Sequence, residues 1–144
     1  MEVLDVGCGV GHGGRCLLGV LPSTERLIGV DAESQWVERA RSAAGPELTG
    51  RVEYRPGNAY SLPFADSRFD LVTCQTVLMH LSEPARAIAE MVRVVRRGGI
   101  VAVAEPTNVC GPVVDSIAMG DAPAVTAELL NLLLTCQLGA THLG

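Results

Sequence analysis

The 144-residue sequence predicts an α/β domain built on an open, mostly parallel sheet with helices on both faces. Five short runs rich in Val, Ile and Leu recur along it: "EVLDV" (2–6), "RLIGVD" (26–31), "RVEYR" (51–55), "FDLVTCQ" (69–75) and "GIVAVAE" (99–105). Helix-like stretches separate most of them. The runs are largely continuous in apolar residues rather than alternating, as strands covered on both faces are. A glycine-rich turn, "GCGVGHGG" (7–14), directly follows the first run.

Each connecting segment has its own signature. After the glycine turn, "GGRCLLGVL" sets Cys16, Leu17 and Val20 at helical spacing. Ser34 is placed to cap "QWVERARSAA", which stops at Gly45-Pro46. In "SEPARAIAEMVRVVRRGG" the expected N-cap is Ser82, with Pro84 in the first turn. Ile88, Met91, Val92 and Val95 share one face there, and Gly98-Gly99 is the stop. The connection from 56 to 68 is long enough for a crossover but lacks helical periodicity, and reads as a functional loop. From Pro106 the chain is turn-rich, and "AVTAELLNLLLTCQLG" then reads as a helix that is apolar on most faces. Residues 1–106 thus form a binding core, and 107–144 a turn-rich crossing plus C-terminal helix of the same domain.

Composition narrows the function classes. One domain is expected from the length, with a core of Val, Leu, Ile and Ala because aromatic residues make up only 3%. Sixteen acidic residues against eleven basic ones give a net charge of −5, and the arginines are scattered, which disfavours nucleic acid as a partner. Five cysteines form no CxxC pair and no zinc-like spacing, so no metal is expected. They read as reduced thiols of a cytoplasmic protein. The N-terminus lacks the pattern of a secretory signal, and the C-terminal apolar stretch is too short and interrupted to span a bilayer, so no membrane association is expected.

The glycine turn admits two ligands. Gly9, Gly11 and Gly14 satisfy G-x-G-x-x-G, and Asp31 follows at the distance of a ribose-binding carboxylate, the pattern of an NAD(P)-dependent oxidoreductase. Asp5, two residues before Gly7, opposes that reading because it brings a carboxylate toward the pyrophosphate. A cofactor carrying a ribose, a cationic amine and a sulfonium would instead gain from that charge.

The run D-V-G-C-G-V-G (5–11), the acidic end of the second strand at Asp31, "GNAYSLPFADSRFDLV" (57–72) and "VVRRGGIVAVAEP" (94–106) complete the pattern. In order and spacing, residues 3 to 106 resemble the class I S-adenosylmethionine-dependent methyltransferases that act on small molecules. The resemblance implies a Rossmann-like fold with S-adenosylmethionine as cofactor. It implies that Gly7, Gly9 and Gly11 let the backbone approach the methionine part, with Asp5 supporting the amine through the loop or a water. Asp31 would accept both ribose hydroxyls, with Ala32 beside it in the binding set. Asn58 would meet the adenine amine, the Ala59 amide would donate to the ring, and Gln75 would line the methionine side. Many relatives carry Asp where this chain has Asn58, which predicts weaker cofactor binding.

Local readings stand beside these. Asp31 is either a ribose ligand or the cap of the following helix. Asn58 after Gly57 is either an adenine contact or a turn residue. His12 reads as a helix-start residue, and His80 as a packed edge residue or the base for a hydroxyl or amine acceptor. Trp36, Tyr60 and Phe64 read as packing groups, and Arg93, Arg96 and Arg97 as a favourable charge at a helix C-terminus.

The expected function is methyl transfer to a small-molecule acceptor. The alternative is a catalytically silent, shortened core acting as a cofactor-binding or interaction module, because the chain starts at its first strand and shows no sixth or seventh. An uncovered fifth strand would then favour homo-oligomers unless the tail helix covers it.

Overall fold

In the computed structural model, residues 1–105 are described with their side chains, and 106, 107 and 111–118 as backbone. Strands form where the sequence is β-branched and apolar: β1 (Glu2–Val6), β2 (Arg26–Asp31), β3 (Val52–Pro56), β4 (Phe69–Gln75), β5 (Val95–Thr107) and β6 (Gly111–Ala118). Three helices, α1 (His12–Val20), α2 (Ser34–Ala43) and α3 (Pro84–Val94), and short 3₁₀ turns at Pro46–Leu48 and Leu78–His80 connect them. The strand order is β3-β2-β1-β4-β5-β6. The first five are mutually parallel, and β6 runs antiparallel on β5.

Successive residues of the strands feed two cores, one on each face of the sheet. Val3, Leu27, Tyr54 and Leu71 pack with Leu17 and Val37 on one side. Leu4, Ile28, Val30 and Val72 pack with Phe69 and Met91 on the other. Each fully buried aliphatic side chain contributes about 1.5–3 kcal/mol relative to exposure, which is why continuous apolar runs were needed. The chain winds outward from β1 through β2 to β3, then returns to the other side of β1 as β4. The carboxyl ends of β1 and β4 are therefore the topological switch point, where such sheets open a crevice.

Four local expectations are corrected. Helix α3 ends at Val94, not at Gly98-Gly99, and its buried residues are Ala87, Met91 and Val94, with Ile88 and Val92 half-buried. The strand takes over because Val95 pairs with Phe69 and Ile100 with Leu71, so residues 96–99 bulge opposite Asp70 alone. Gly98 supplies the left-handed φ of 75° for this bulge, and the Arg96 Nε donates to Asp70 Oδ1 at 2.5 Å. Ser34 is the first residue of α2, whose N-cap is Glu33. Ser82 precedes Glu83, the N-cap of α3, and its hydroxyl lies 3.3 Å from that of Tyr60.

The fourth correction concerns the sheet edge. A sixth strand lies within the stretch read as a turn-rich crossing, and it pairs with β5 from Ile100↔Ala118 to Thr107↔Gly111. Gly111-Pro112 signalled a turn, yet proline is tolerated at a strand's first residues and on an edge. Strand β5 is thus covered from Ile100 to Thr107. The expected helix in 124–139 lies outside the described residues.

Candidate functional site

The turn from β1 to α1 holds three glycines with left-handed backbone: Gly7 (φ 70°), Gly9 (φ 51°) and Gly11 (φ 74°). Their reasons differ. A Cβ on Gly7 would run into the Val77 side chain, and one on Gly11 into the Tyr54 ring, whose hydroxyl donates to the Gly11 carbonyl at 3.2 Å. A Cβ on Gly9 would meet nothing within 4 Å. Packing explains two of the three, and only at Gly9 does bare backbone face open space.

Asp5 lies beneath this turn. It is 5% exposed and accepts hydrogen bonds from the Thr73 hydroxyl at 3.0 Å and the Gly14 amide. Burial pushes its pKa up from 3.8 to about 6, against the pull of those two bonds and with a small push from the Asp31 charge. Burial also raises the Cys8 thiol, to about 12, with Asp5 and Asp31 nearby. Asp5 supports the turn from inside and does not reach the cleft above it.

Asp31, the last residue of β2, sits on the open side. Its Oδ2 accepts from the Gly9 amide at 2.9 Å and its Oδ1 from the Glu33 amide at 3.0 Å. Asp31 is therefore not the cap of α2, which is Glu33, but it holds the Glu33 amide just ahead of the helix and borders the cleft. Each carboxylate oxygen keeps lone-pair capacity for a further donor.

The cleft has a volume of about 970 Å³ and opens over the carboxyl ends of the strands. Val6, Gly7 and Gly9 form its floor, and Asp31, Ala32, Glu33 and Trp36 its β2 wall. Pro56 through Tyr60 close the β3 side, and Thr76, Val77, His80 and Leu81 the β4 side. Of the residues expected from sequence, Gly7, Gly9, Asp31, Ala32, Asn58, Ala59 and His80 come together here. Asp5, Gly11 and Gln75 do not line it. Gln75 instead packs under the turn, its Oε1 3.1 Å from where a Cβ on Gly13 would stand. The Asn58 Oδ1 accepts from the Tyr60 amide at 2.9 Å, so this side chain shapes its own turn while bordering the cleft.

Trp36 and Tyr60 line the cleft although the sequence reading placed them in packing; Phe64 is indeed buried, edge-on to Phe69 at 4.9 Å. The overlooked signal for Trp36 is its position in the first turn of α2, immediately after the strand end that carries Asp31. Arg93 also does more than balance a helix dipole. Its guanidinium donates to the Leu62 and Phe64 carbonyls at 3.0 and 2.9 Å and to Asp66 at 2.7 Å. It also pairs with Glu90, which accepts the Leu62 amide at 2.8 Å, so that the 57–68 loop is fastened to α3.

Among the described residues, the lining includes the acidic Asp31 and Glu33 and no lysine or arginine. The open Gly9 backbone and a carboxylate at the end of β2 fit the ribose-bearing S-adenosylmethionine.

Comparison with known proteins agrees. Residues 4–103 match the model of a family described as "Methyltransferase domain". The chain is 39% identical over 98 residues to the "Uncharacterized methyltransferase YcgJ" of Bacillus subtilis, covering 68% of this chain and 38% of that protein. The crystal structure of YcgJ superposes with a TM-score of 0.66 at 36% identity, over 73% of this chain and 44% of that one. A "Probable S-adenosylmethionine-dependent methyltransferase" of Mycolicibacterium smegmatis is 35% identical over 75% of this chain and 39% of that protein. A demethylmenaquinone methyltransferase of Lactiplantibacillus plantarum is 32% identical over 81% and 49%. The chain thus spans less than half the length of these relatives. By its sheet order, its glycine turn and these matches, it belongs to the class I S-adenosylmethionine-dependent methyltransferases.

Proposed function

We propose that the chain binds S-adenosylmethionine in the cleft and directs its methyl group to a small-molecule acceptor. The observation that carries this reading is the pairing of open backbone at Gly9 with the acidic residues Asp31 and Glu33 at the end of β2. In this reading Asp31 accepts the ribose hydroxyls, Ala32 flanks them, and Asn58 with the Ala59 amide faces adenine, beside the Trp36 ring. Gly7 and Gly9 floor the amino-acid end, while Asp5 and Gln75 act from below through the turn, and Gly11 shapes it against Tyr54.

When bound, the cofactor supplies an electrophilic methyl on a sulfonium, which becomes a neutral thioether as the acceptor forms its bond to carbon. The protein aligns the acceptor with that bond and excludes water. His80 is exposed on the β4 wall and can take the proton from a hydroxyl or amine acceptor. The free thiols Cys8, Cys16 and Cys74 support a cytoplasmic setting. No helix among the described residues is long and apolar enough to cross a membrane. The second reading is a module that holds the cofactor without transferring methyl.

Trp36 is the single tryptophan and borders the cleft, so its fluorescence reports binding. Titration is expected to detect S-adenosylmethionine and S-adenosylhomocysteine and not NAD; tighter binding of NAD refutes the proposal. Formation of S-adenosylhomocysteine with a panel of small hydroxyl, amine and thiol acceptors separates the enzyme from the silent module.

A further inference from the structure

We infer that Glu105, at the end of β5 and outside the cleft, is the positioning residue that sets the cleft's β4 wall and with it the amino-acid end of the cofactor. The inference rests on the cofactor reading above. The Glu105 Oε1 accepts from the Val77 amide at 2.9 Å and the Leu78 amide at 2.8 Å, and its Oε2 faces the Met79 amide at 3.4 Å. Three successive amides of the turn after β4 thus converge on one carboxylate from the neighbouring strand.

That turn needs an external hold. Thr76 adopts a left-handed φ of 55°, a conformation unfavourable for a β-branched residue, and its amide is fixed by the Ala104 carbonyl at 2.8 Å. Val77 follows, and its side chain occupies the space a Cβ on Gly7 would need. The ends of three adjacent strands are linked in this way: the β5 carboxylate holds the β4 turn, and the β4 turn presses on the β1 glycine loop. The carboxylate's hydrogen bonds go to the β4 turn and not to Asp31, Asn58 or Trp36. A disturbance at Glu105 should therefore be felt at one end of a bound ligand.

Two ligands differing only at that end test this. S-adenosylhomocysteine carries the amino-acid tail; 5′-methylthioadenosine has the same thioadenosine without it. Glu105→Asp keeps the charge but withdraws the carboxylate by one methylene, too short to meet all three amides. Glu105→Gln keeps the length and one acceptor oxygen for the two shorter bonds. By Trp36 fluorescence, Glu105→Asp is expected to weaken S-adenosylhomocysteine at least about tenfold and 5′-methylthioadenosine less than about twofold. Glu105→Gln should stay within about threefold of wild type for both. Unchanged S-adenosylhomocysteine binding in Glu105→Asp, parallel weakening of both ligands, or equal behaviour of the two variants overturns the assignment. Wild-type protein that binds neither thioether refutes the cofactor reading itself.

Discussion

Two carboxylates flank the same glycine turn and meet opposite environments. Asp5 lies inside β1, level with Gly29 of β2, and is sealed under the turn by Thr73 and Gly14. Asp31 lies two residues beyond Gly29, at the last position of β2, where the sheet gives way to the cleft. A displacement of two residues along a strand separates a group that stabilises the scaffold from one that can touch a ligand. The comparison teaches that an acidic residue near a glycine motif takes its role from depth in the sheet, not from distance along the sequence.

Substitutions on the two faces of the turn can break this contrast. The largest effect is expected from Gly11→Ala, which forces an L side chain into φ 74° and against the Tyr54 ring. Strain and overpacking together should cost about 3–5 kcal/mol of folding stability in urea titrations. Asp31→Ala should lose about 2–4 kcal/mol of S-adenosylhomocysteine affinity by calorimetry, because bonds to a charged acceptor are strong. The same variant should lose only about 1 kcal/mol of stability through the freed Glu33 amide. Affinity unchanged in both Asp31→Ala and Asp31→Asn would remove Asp31 from the site.

Asp5→Asn sharpens the buried side through pH. The folded pKa of Asp5 is raised from 3.8 to about 6, so the native state binds the proton more tightly than the unfolded chain does. Its stabilising contribution is complete below the unfolded value and is lost as pH rises through about 6. Wild type should therefore lose about 1–3 kcal/mol of stability relative to Asp5→Asn between about pH 4 and pH 7. A difference independent of pH would place Asp5 in water. The smallest stability effect belongs to Gly9→Ala, where space is open and only the left-handed φ opposes a Cβ. About 1 kcal/mol is expected from thermal melts, and a loss as large as that of Gly11→Ala would show that Gly9 is packed.

What could be read from the sequence follows the same division. Strands β1, β2 and β4 coincide with their apolar runs because burial on both faces leaves no alternative composition. Strand β6 escaped because Gly111-Pro112 carries a turn signal that only the pairing with β5 overrides. Ser34 looked like a cap, but the Glu33 carbonyl already accepts the Trp36 and Val37 amides, so the helix begins one residue earlier. In the site, the motif located Gly9 and Asp31, since their chemistry is local. It could not separate Gly7 and Gly11, whose constraints come from Val77 and Tyr54 far along the chain. Tyr60 and Glu105 were missed for that reason, because their neighbours come from distant strand ends, whereas Trp36 had a local signal in following the end of β2.

The fastening of the 57–68 loop by Arg93 has a consequence for the entropy of ligand binding. Leu62, Phe64 and Asp66 are held to α3 by bonds to Arg93, which does not line the cleft. The freedom of this helix-free crossover is surrendered when the domain folds, leaving Asn58 and Ala59 on a loop already set in place before a ligand arrives. A ligand meeting that wall has less chain to immobilise, and more of its contact energy appears as affinity. The residue that secures this, Arg93, has no part in the cleft.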